Sequence, residues 1–124
     1  MTDSKYSNSD VIELSSKDFN NKILINSKFK NKNGLIKFYA PWCPHCVEMT
    51  KPLKFLATEL KNKGFLIGVV NTDIHPKVAQ TFNINGIPTI YTLNTNGDME
   101  LYNEGKDIES LLNHITKFTN LIIT

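Results

Sequence analysis

The chain has 124 residues, of which 40% are hydrophobic, and it carries a formal net charge of +2. This length suits a single domain with an ordinary hydrophobic core, and no apolar run approaches the roughly 20 residues of a membrane span. The charge is too small to indicate a nucleic-acid surface, and all 14 basic residues are lysine, so the bidentate arginine contacts that read guanine and phosphate are excluded.

Residues 1–9 are polar and predict a flexible N-terminal arm ahead of a single domain over residues 10–124. The arm lacks the apolar segment that defines a secretory signal. We therefore expect an intracellular protein, in the cytoplasm or in a virion, that does not bind membranes.

The domain opens with a short strand followed by a helix. Residues 11–14 predict the strand, and Ser15 with Asp18 forms a capping-box pattern that predicts a helix carrying Phe19 and Ile23.

The middle of the chain carries a buried strand and then the clearest helix. Residues 26–34 predict a polar loop, and residues 35–40 predict a buried strand in which only Lys37 is charged. Apolar residues then recur at spacings of three and four, which predicts an amphipathic helix that ends at Gly64. The apolar stripe consists of Cys46, Met49, Leu53, Leu56 and Leu60.

The second half predicts three strands and two helices, which completes an α/β domain. Strands are predicted over 65–70, 89–93 and 99–102, the last two joined by the turn at Asn96-Gly97. The full order is β-α-β-α-β-α-β-β-α, which indicates a central mixed β-sheet flanked by helices on both faces. The two helices begin near Pro76 and after Asp107.

Both cysteines of the chain stand in Trp42-Cys43-Pro44-His45-Cys46, directly after the buried strand. A strand that delivers a Cys-x-x-Cys pair to the start of a helix is typical of thiol–disulfide exchange. The helix N-terminus stabilises a thiolate, Pro44 suits the first turn, and His45 adds a positive charge or a hydrogen-bond donor. The pattern indicates Cys43 as the attacking thiol and Cys46, on the apolar stripe, as the resolving thiol.

Two segments together resemble the thioredoxin fold family: Phe38-Tyr39-Ala40-Pro41-Trp42-Cys43-Pro44-His45-Cys46 and, downstream, Gly86-Ile87-Pro88-Thr89. The first segment is similar to the catalytic domains of protein disulfide isomerases, and its inner dipeptide is similar to that of the bacterial periplasmic disulfide oxidase. The resemblance runs from about Val11 to the C-terminus. It implies a protein thiol–disulfide oxidoreductase of cell redox homeostasis that needs no cofactor. It also implies protein substrates and a recycling partner, either a reductase or a sulfhydryl oxidase.

The resemblance further implies that Pro88 is cis and that Ile87 and Pro88 offer backbone groups to an extended protein substrate. Ile87 is thioredoxin-like, whereas disulfide isomerases usually have threonine there, so this loop favours a reductase. The Pro44-His45 dipeptide favours an oxidase or isomerase. We expect a potential more oxidising than that of ordinary thioredoxin, with a thioredoxin-type reductase as the alternative.

Two positions depart from the family pattern. The family often has a buried acid six residues before the first cysteine, and this acid accepts a proton from the second; here the position is Lys37. One hypothesis is that a buried ammonium stabilises the thiolate of Cys46, and the alternative is that Lys37 reaches the solvent edge and has no role. Pro52 lies one residue later than the usual kink proline, so a different bend of the helix is expected.

The remaining candidate residues have a chemical and a structural interpretation. Trp42 is expected to flank the site and cover part of it, with core packing as the alternative. We expect His75 to lie in a loop or at a helix cap, His114 to face solvent from the last helix, and Asp73 to cap a helix.

Two other functional classes compete with redox catalysis. A structural zinc site usually needs four ligands, and Cys-x-x-Cys supplies two, so no metal is expected. A thioredoxin-fold binding or scaffold module is the second alternative, although such modules usually lose a cysteine and this chain keeps both.

Overall fold

The computed structural model of the chain describes residues 4–119. The strands are β1 (Ile12–Leu14), β2 (Phe19–Asn20), β3 (Ile23–Leu24), β4 (Asn33–Tyr39), β5 (Phe65–Asn71), β6 (Thr89–Leu93) and β7 (Met99–Tyr102). The α-helices are α1 (Pro44–Glu48), α2 (Thr50–Leu60), α3 (Pro76–Thr81) and α4 (Ile108–Thr119). Short 3₁₀ turns cover Ser16–Asp18, Ser27–Phe29 and Lys61–Lys63. None of the described helices has the length and apolar character needed to cross a membrane.

Five strands form the central sheet, in the order β1-β5-β4-β6-β7. The pairs β1·β5 and β4·β5 are parallel, whereas β4·β6 and β6·β7 are antiparallel, so the predicted mixed sheet is confirmed. The central strand is β4, in which Lys37 pairs with Val69 on one side and Ile90 on the other. Since β4 has a paired strand on each side, it lies inside the sheet, and its side chains point alternately to the two faces of the sheet.

Alternate residues of β4 serve two separate cores. Leu35 packs in a cluster with residues of α2 and α4, whereas Ile36 packs with residues of α3. Helices therefore lie on both faces, as predicted. Since successive strand residues point to opposite faces, Lys37 points to the same face as Leu35, which is the face of the helices that follow the cysteines.

The segment after β1 differs from its prediction. The capping box of Ser15 and Asp18 is present, but it starts only a 3₁₀ turn. The predicted helix carrying Phe19 and Ile23 is wrong, because these residues form the antiparallel hairpin β2–β3. Asn21 turns the hairpin at a positive φ of 54°, a conformation that asparagine tolerates better than most residues.

The predicted helix after the cysteines is divided at Met49 into α1 and α2. Pro52 has no N–H for the carbonyl of Glu48, and its ring crowds that carbonyl, so the helix breaks just ahead of the proline. Gly64 ends the following 3₁₀ turn at a φ of 77°, which confirms the predicted stop. The predicted apolar stripe is confirmed, since its five residues are all buried: Cys46, Met49, Leu53, Leu56 and Leu60.

Residues 4–9 fall within the expected flexible arm, yet they form turns that pack on the domain. Tyr6 is 1% exposed and contacts the ring of Tyr39 edge-on at a centroid distance of 5.3 Å. Lys54 of α2 donates a hydrogen bond to the carbonyl of Lys5 at 3.1 Å. Residues 1–3 of the expected arm and residues 120–124 of the expected domain lie outside the described residues.

Candidate active site

The two cysteines lie at the junction of β4 and α1. Cys43 is the N-cap residue of α1, and Pro44, which has no N–H, is its first residue. The backbone N–H of Cys46 donates to the Sγ of Cys43 at 3.2 Å. This hydrogen bond holds the sulfur of Cys43 at the N-terminal end of α1.

Both cysteines are free thiols, and both are buried. Cys43 is 4% exposed and Cys46 is 1% exposed. Burial raises the pKa of the Cys46 thiol, the hydrogen bond with Cys43 raises it further, and the positive charge of Lys37 acts in the opposite direction. Cys46 is therefore held as a neutral thiol near pH 7.

The loop before β6 lies against the first cysteine. The Ile87–Pro88 peptide bond is cis, as expected. The thiol of Cys43 points at the carbonyl oxygen of Ile87, with a sulfur–oxygen distance of 3.7 Å. The cysteine motif and the cis-proline loop, 44 residues apart in sequence, thus form one site.

A groove with a volume of about 500 Å³ runs along this loop, and we call it the cis-proline groove. It is lined by residues 83–89, by further residues of β6, β7 and the loop that follows, and by His45. Its remaining lining residues are Tyr91, Leu101, Tyr102, Asn103 and Lys106. The side chain of His45 is 66% exposed, and its Nδ1 lies 3.8 Å from the carboxylate of Glu48.

Trp42 lies on the surface beside the motif. It is 68% exposed, so the alternative of core packing is wrong. Its Nε1 donates to the carboxylate of Asp73 at 3.1 Å, and this contact replaces the capping role expected for that aspartate. The N-cap of α3 is His75, which confirms the loop-or-cap prediction, although its side chain makes no capping hydrogen bond.

Lys37 does not reach the solvent edge, because it is fully buried. Its Nζ donates to the carbonyl oxygen of Cys46 at 2.6 Å and to the hydroxyl of Tyr6 at 2.7 Å. The same Nζ lies 5.4 Å from the ring centroid of Tyr6 and 5.6 Å from that of Tyr39. Burial lowers the pKa of Lys37 to about 8, against the opposing effect of the two cysteines.

Tyr6 is the residue of this site that sequence reasoning missed. Burial raises the pKa of its phenol, which keeps the hydroxyl neutral as a hydrogen-bond partner. The available signal was an aromatic residue alone in a polar segment, and such a residue is often anchored in a core.

His114 corrects another expectation, because it is buried rather than solvent-facing. Its Nε2 lies 3.0 Å from the hydroxyl of Thr92, and its Nδ1 lies 2.8 Å from the carboxylate of Glu104. It falls three residues after Leu111 and one before Ile115, so it lies on the apolar stripe of α4. The contact with Thr92 links α4 to β6, and the hydrogen bonds of His114 do not involve the cysteines.

No group of three or more His, Cys, Asp or Glu side chains within residues 4–119 is arranged to hold a metal ion.

Comparisons with known proteins agree with this geometry. A family model described as thioredoxin matches residues 10–117. The chain is 30% identical over 113 residues to protein disulfide-isomerase 1 of Dictyostelium discoideum, covering 88% of this chain and 30% of that protein. It is 35% identical over 107 residues to protein disulfide-isomerase A6 of Mus musculus, covering 86% of this chain and 23% of that protein. The chain therefore spans less than a third of the length of these two relatives.

Solved structures give the same fold. Full-length ERdj5 superposes with a TM-score of 0.76 at 24% identity, covering 94% of this chain and 16% of that chain. The Trx4 domain of ERdj5 superposes with a TM-score of 0.73 at 23% identity, covering 89% of this chain and 96% of that chain. At such identities the likeness is one of fold.

Proposed function

The chain belongs to the thioredoxin family, and from that premise we propose that it is a protein thiol–disulfide oxidoreductase whose redox group is the Cys43–Cys46 pair. One observation carries the proposal. The Sγ of Cys43 accepts the N–H of Cys46 at 3.2 Å and lies 3.7 Å from the carbonyl oxygen of Ile87, beside an open groove. The names of the relatives, which are protein disulfide-isomerases, support the same activity.

The reaction runs in two exchanges. The Cys43 thiolate attacks one sulfur of a substrate disulfide, a mixed disulfide forms, and the other substrate sulfur leaves as a thiolate that takes a proton from water. Cys46 then loses its proton and attacks the Sγ of Cys43. The Cys43–Cys46 bond forms, the bond to the substrate breaks, and two electrons have passed to the substrate. In reverse, the same steps oxidise a substrate dithiol.

The direction proposed is the more oxidising one. Contacts that stabilise the Cys43 thiolate stabilise the reduced protein and make its disulfide a better oxidant. The N–H of Cys46 and the exposed imidazole of His45, one residue from Pro44, support this direction. Ile87 supports the alternative, a thioredoxin-type reductase.

Protein substrates suit the surface around the cysteines. The cis-proline groove lies beside Cys43, and one of its lining residues, Leu101, exposes a large apolar side chain, as does Trp42 next to Cys43 in the chain. Ile87 and Pro88 form the wall next to the sulfur and are proposed to align an extended substrate chain. A second protein, either a reductase or a sulfhydryl oxidase, returns the cysteines to their starting state.

The reduction potential of the Cys43–Cys46 pair tests the direction. We expect a value near that of a disulfide isomerase, about −180 mV or higher, rather than the thioredoxin value of about −270 mV. The measurement uses glutathione buffers and the fluorescence of Trp42, which is the only tryptophan of the chain. A potential at or below the thioredoxin value contradicts the oxidising assignment.

The activity itself is tested with cysteine variants. Cys46→Ser is expected to accumulate a mixed disulfide on Cys43 when mixed with a disulfide-bonded protein, because the resolving thiol is gone. Cys43→Ser is the matched control and forms far less of it, since the buried Cys46 does not start the exchange. Equal trapping by the two variants contradicts the assigned roles. Full function in a Cys43→Ser/Cys46→Ser double variant supports the scaffold alternative.

A further inference from the structure

A buried row of polar groups connects the segment before β1 to the second cysteine. Lys37 donates to the hydroxyl of Tyr6 and to the carbonyl oxygen of Cys46, and all three residues are at most 1% exposed. The centroids of the Tyr6 and Tyr39 rings lie 5.4 Å and 5.6 Å from the Nζ of Lys37, and Tyr6 presents its hydroxyl to it. The hydroxyl of Tyr6 is thus one end of the row, and the backbone carbonyl of Cys46 in α1 is the other.

The ammonium in this row has no carboxylate partner among the described residues, whose ion pairs involve other side chains. A buried charge without a counter-ion is strongly unfavourable, so a residue kept in this state is a candidate for function. The groups that favour the charged form of Lys37 are the two cysteines, first Cys46 and then Cys43. A thiolate at Cys46 is the counter-ion that the site lacks.

We propose that Tyr6 is a positioning residue of the redox site, whose hydroxyl holds the Lys37 ammonium against the backbone carbonyl of Cys46 so that this charge stabilises the Cys46 thiolate. The proposal rests on the proposed function, in which that thiolate resolves the mixed disulfide.

The step balances without a further redox partner. The thiol of Cys46 gives its proton to water, and the resulting thiolate is stabilised by the ammonium. Its sulfur attacks the Sγ of Cys43, the Cys43–Cys46 bond forms, and the bond between Cys43 and the substrate breaks. The electron pair leaves with the substrate sulfur, which takes a proton from water.

Within the part of the chain that the structure describes, few other titratable groups lie near the ammonium. Tyr39 lies on the same strand, Tyr6 comes from the segment before β1, and both cysteines come from the start of α1. Burial raises the pKa of both tyrosines, and Glu13 of β1 adds to this effect, so the two phenols stay neutral through the range in which Lys37 loses its proton.

The experiment measures the rate at which iodoacetamide alkylates Cys46 in a reduced Cys43→Ser protein, from about pH 6 to about pH 10. This readout needs neither substrate nor catalysis, so it can fail while the proposed function stands. The logarithm of the rate is expected to rise with pH and then flatten near pH 8, where the ammonium loses its proton. Lys37→Met removes this break and leaves a straight rise.

Tyr6→Phe is the decisive variant. It keeps the ring but removes an acceptor that favours the charged amine, so the break moves to lower pH by at least about half a unit. Tyr39→Phe is the matched control, because its ring lies at nearly the same distance and its hydroxyl takes no hydrogen bond from Lys37. A purely structural effect changes the rate at every pH and leaves the break in place.

Three outcomes overturn the proposal. One is a Cys43→Ser parent without a break near pH 8. Another is a Tyr6→Phe break at the parental pH. The third is a Tyr39→Phe shift as large as that of Tyr6→Phe, because the effect then does not depend on the hydrogen bond to Lys37.

Discussion

Lys37 shows how one residue changes the electrostatics of a site while the fold stays the same. Where the family pattern often has a buried acid, this chain places a fully buried ammonium, 2.6 Å from the carbonyl oxygen of Cys46. An acid assists the second cysteine by accepting its proton, whereas an ammonium assists it by attracting the thiolate. Formation of the thiolate of the second cysteine can therefore be assisted either by a carboxylate or by an ammonium.

A stability measurement checks what this charge costs. Lys37→Met is expected to raise the free energy of unfolding at pH 7 by about 1–4 kcal/mol, because apolar replacements of buried charged groups are often stabilising by that amount. Urea denaturation of the reduced proteins measures the difference, and Lys77→Met, at an exposed position, is the control with no expected change. A loss of stability in Lys37→Met shows that the hydrogen bonds of the ammonium outweigh its burial.

The same difference depends on pH with a definite sign. The pKa of Lys37 is about 8 in the folded chain, below its ordinary value of 10.5. Between these values the unfolded chain binds more protons than the folded one, so the contribution of Lys37 to stability rises with pH. The advantage of Lys37→Met is therefore expected to shrink above about pH 8. Urea denaturation of both proteins at pH 7 and pH 9 checks this, and a constant or growing advantage contradicts it.

At the scale of elements, the hairpin β2–β3 depends on the backbone of Asn21. Its φ of 54° is unfavourable for most residues with a side chain. Asn21→Ala is expected to lower the free energy of unfolding by about 1 kcal/mol, and Asn21→Gly is expected to lower it less. The reduction potential stays unchanged in both, because the hairpin packs against the core of α3. A larger loss for Gly than for Ala contradicts this account of the turn.

Elements with strong local patterns were predicted well from the sequence. The strands over 89–93 and 99–102 match the structure residue for residue, because the first is rich in β-branched residues and an Asn-Gly turn separates the two. The helix after β1 was wrong, since a capping box is satisfied by a single 3₁₀ turn as well as by a helix. The prediction that His114 faces solvent was wrong because a polar side chain is expected to be exposed unless it has buried partners. Its partners are Thr92 and Glu104, which the sequence did not reveal.

At the scale of the whole molecule, the site contains contacts that no local pattern encodes. The cysteine motif and the cis proline were predictable because both lie in short recognisable segments. The Lys37–Tyr6 and Trp42–Asp73 hydrogen bonds each join residues 31 positions apart. Such pairs depend on how the chain packs, so the sequence predicted each residue but not its partner.

The charge of the cis-proline groove leads to a prediction about substrates. Among residues 4–119, Lys106 is the one permanently charged residue that lines it, and none of its lining residues is acidic. Disulfide-linked peptides with acidic flanking residues are expected to have a kcat/KM about threefold higher than matched basic peptides at low ionic strength.

Charge reversal in the groove provides the test of that preference. Lys106→Glu is expected to reverse the preference, whereas Lys77→Glu, which adds the same charge outside the groove, preserves it. Peptides that differ only in their flanking charges give the comparison. An unchanged preference in Lys106→Glu assigns the selectivity to another surface.

The burial of Tyr6 has a consequence for anyone who handles the protein. Fusion tags and trimmed ends are usually treated as neutral because they lie far from the catalytic motif in sequence. Here the hydroxyl that accepts a hydrogen bond from Lys37 belongs to Tyr6, in the segment before β1. This segment is held in part by Ser4, whose Oγ accepts the N–H of Tyr6 at 3.0 Å. A truncation that removes Tyr6, or a change that pulls its segment off the domain, therefore takes away a hydrogen-bond partner of the buried Lys37.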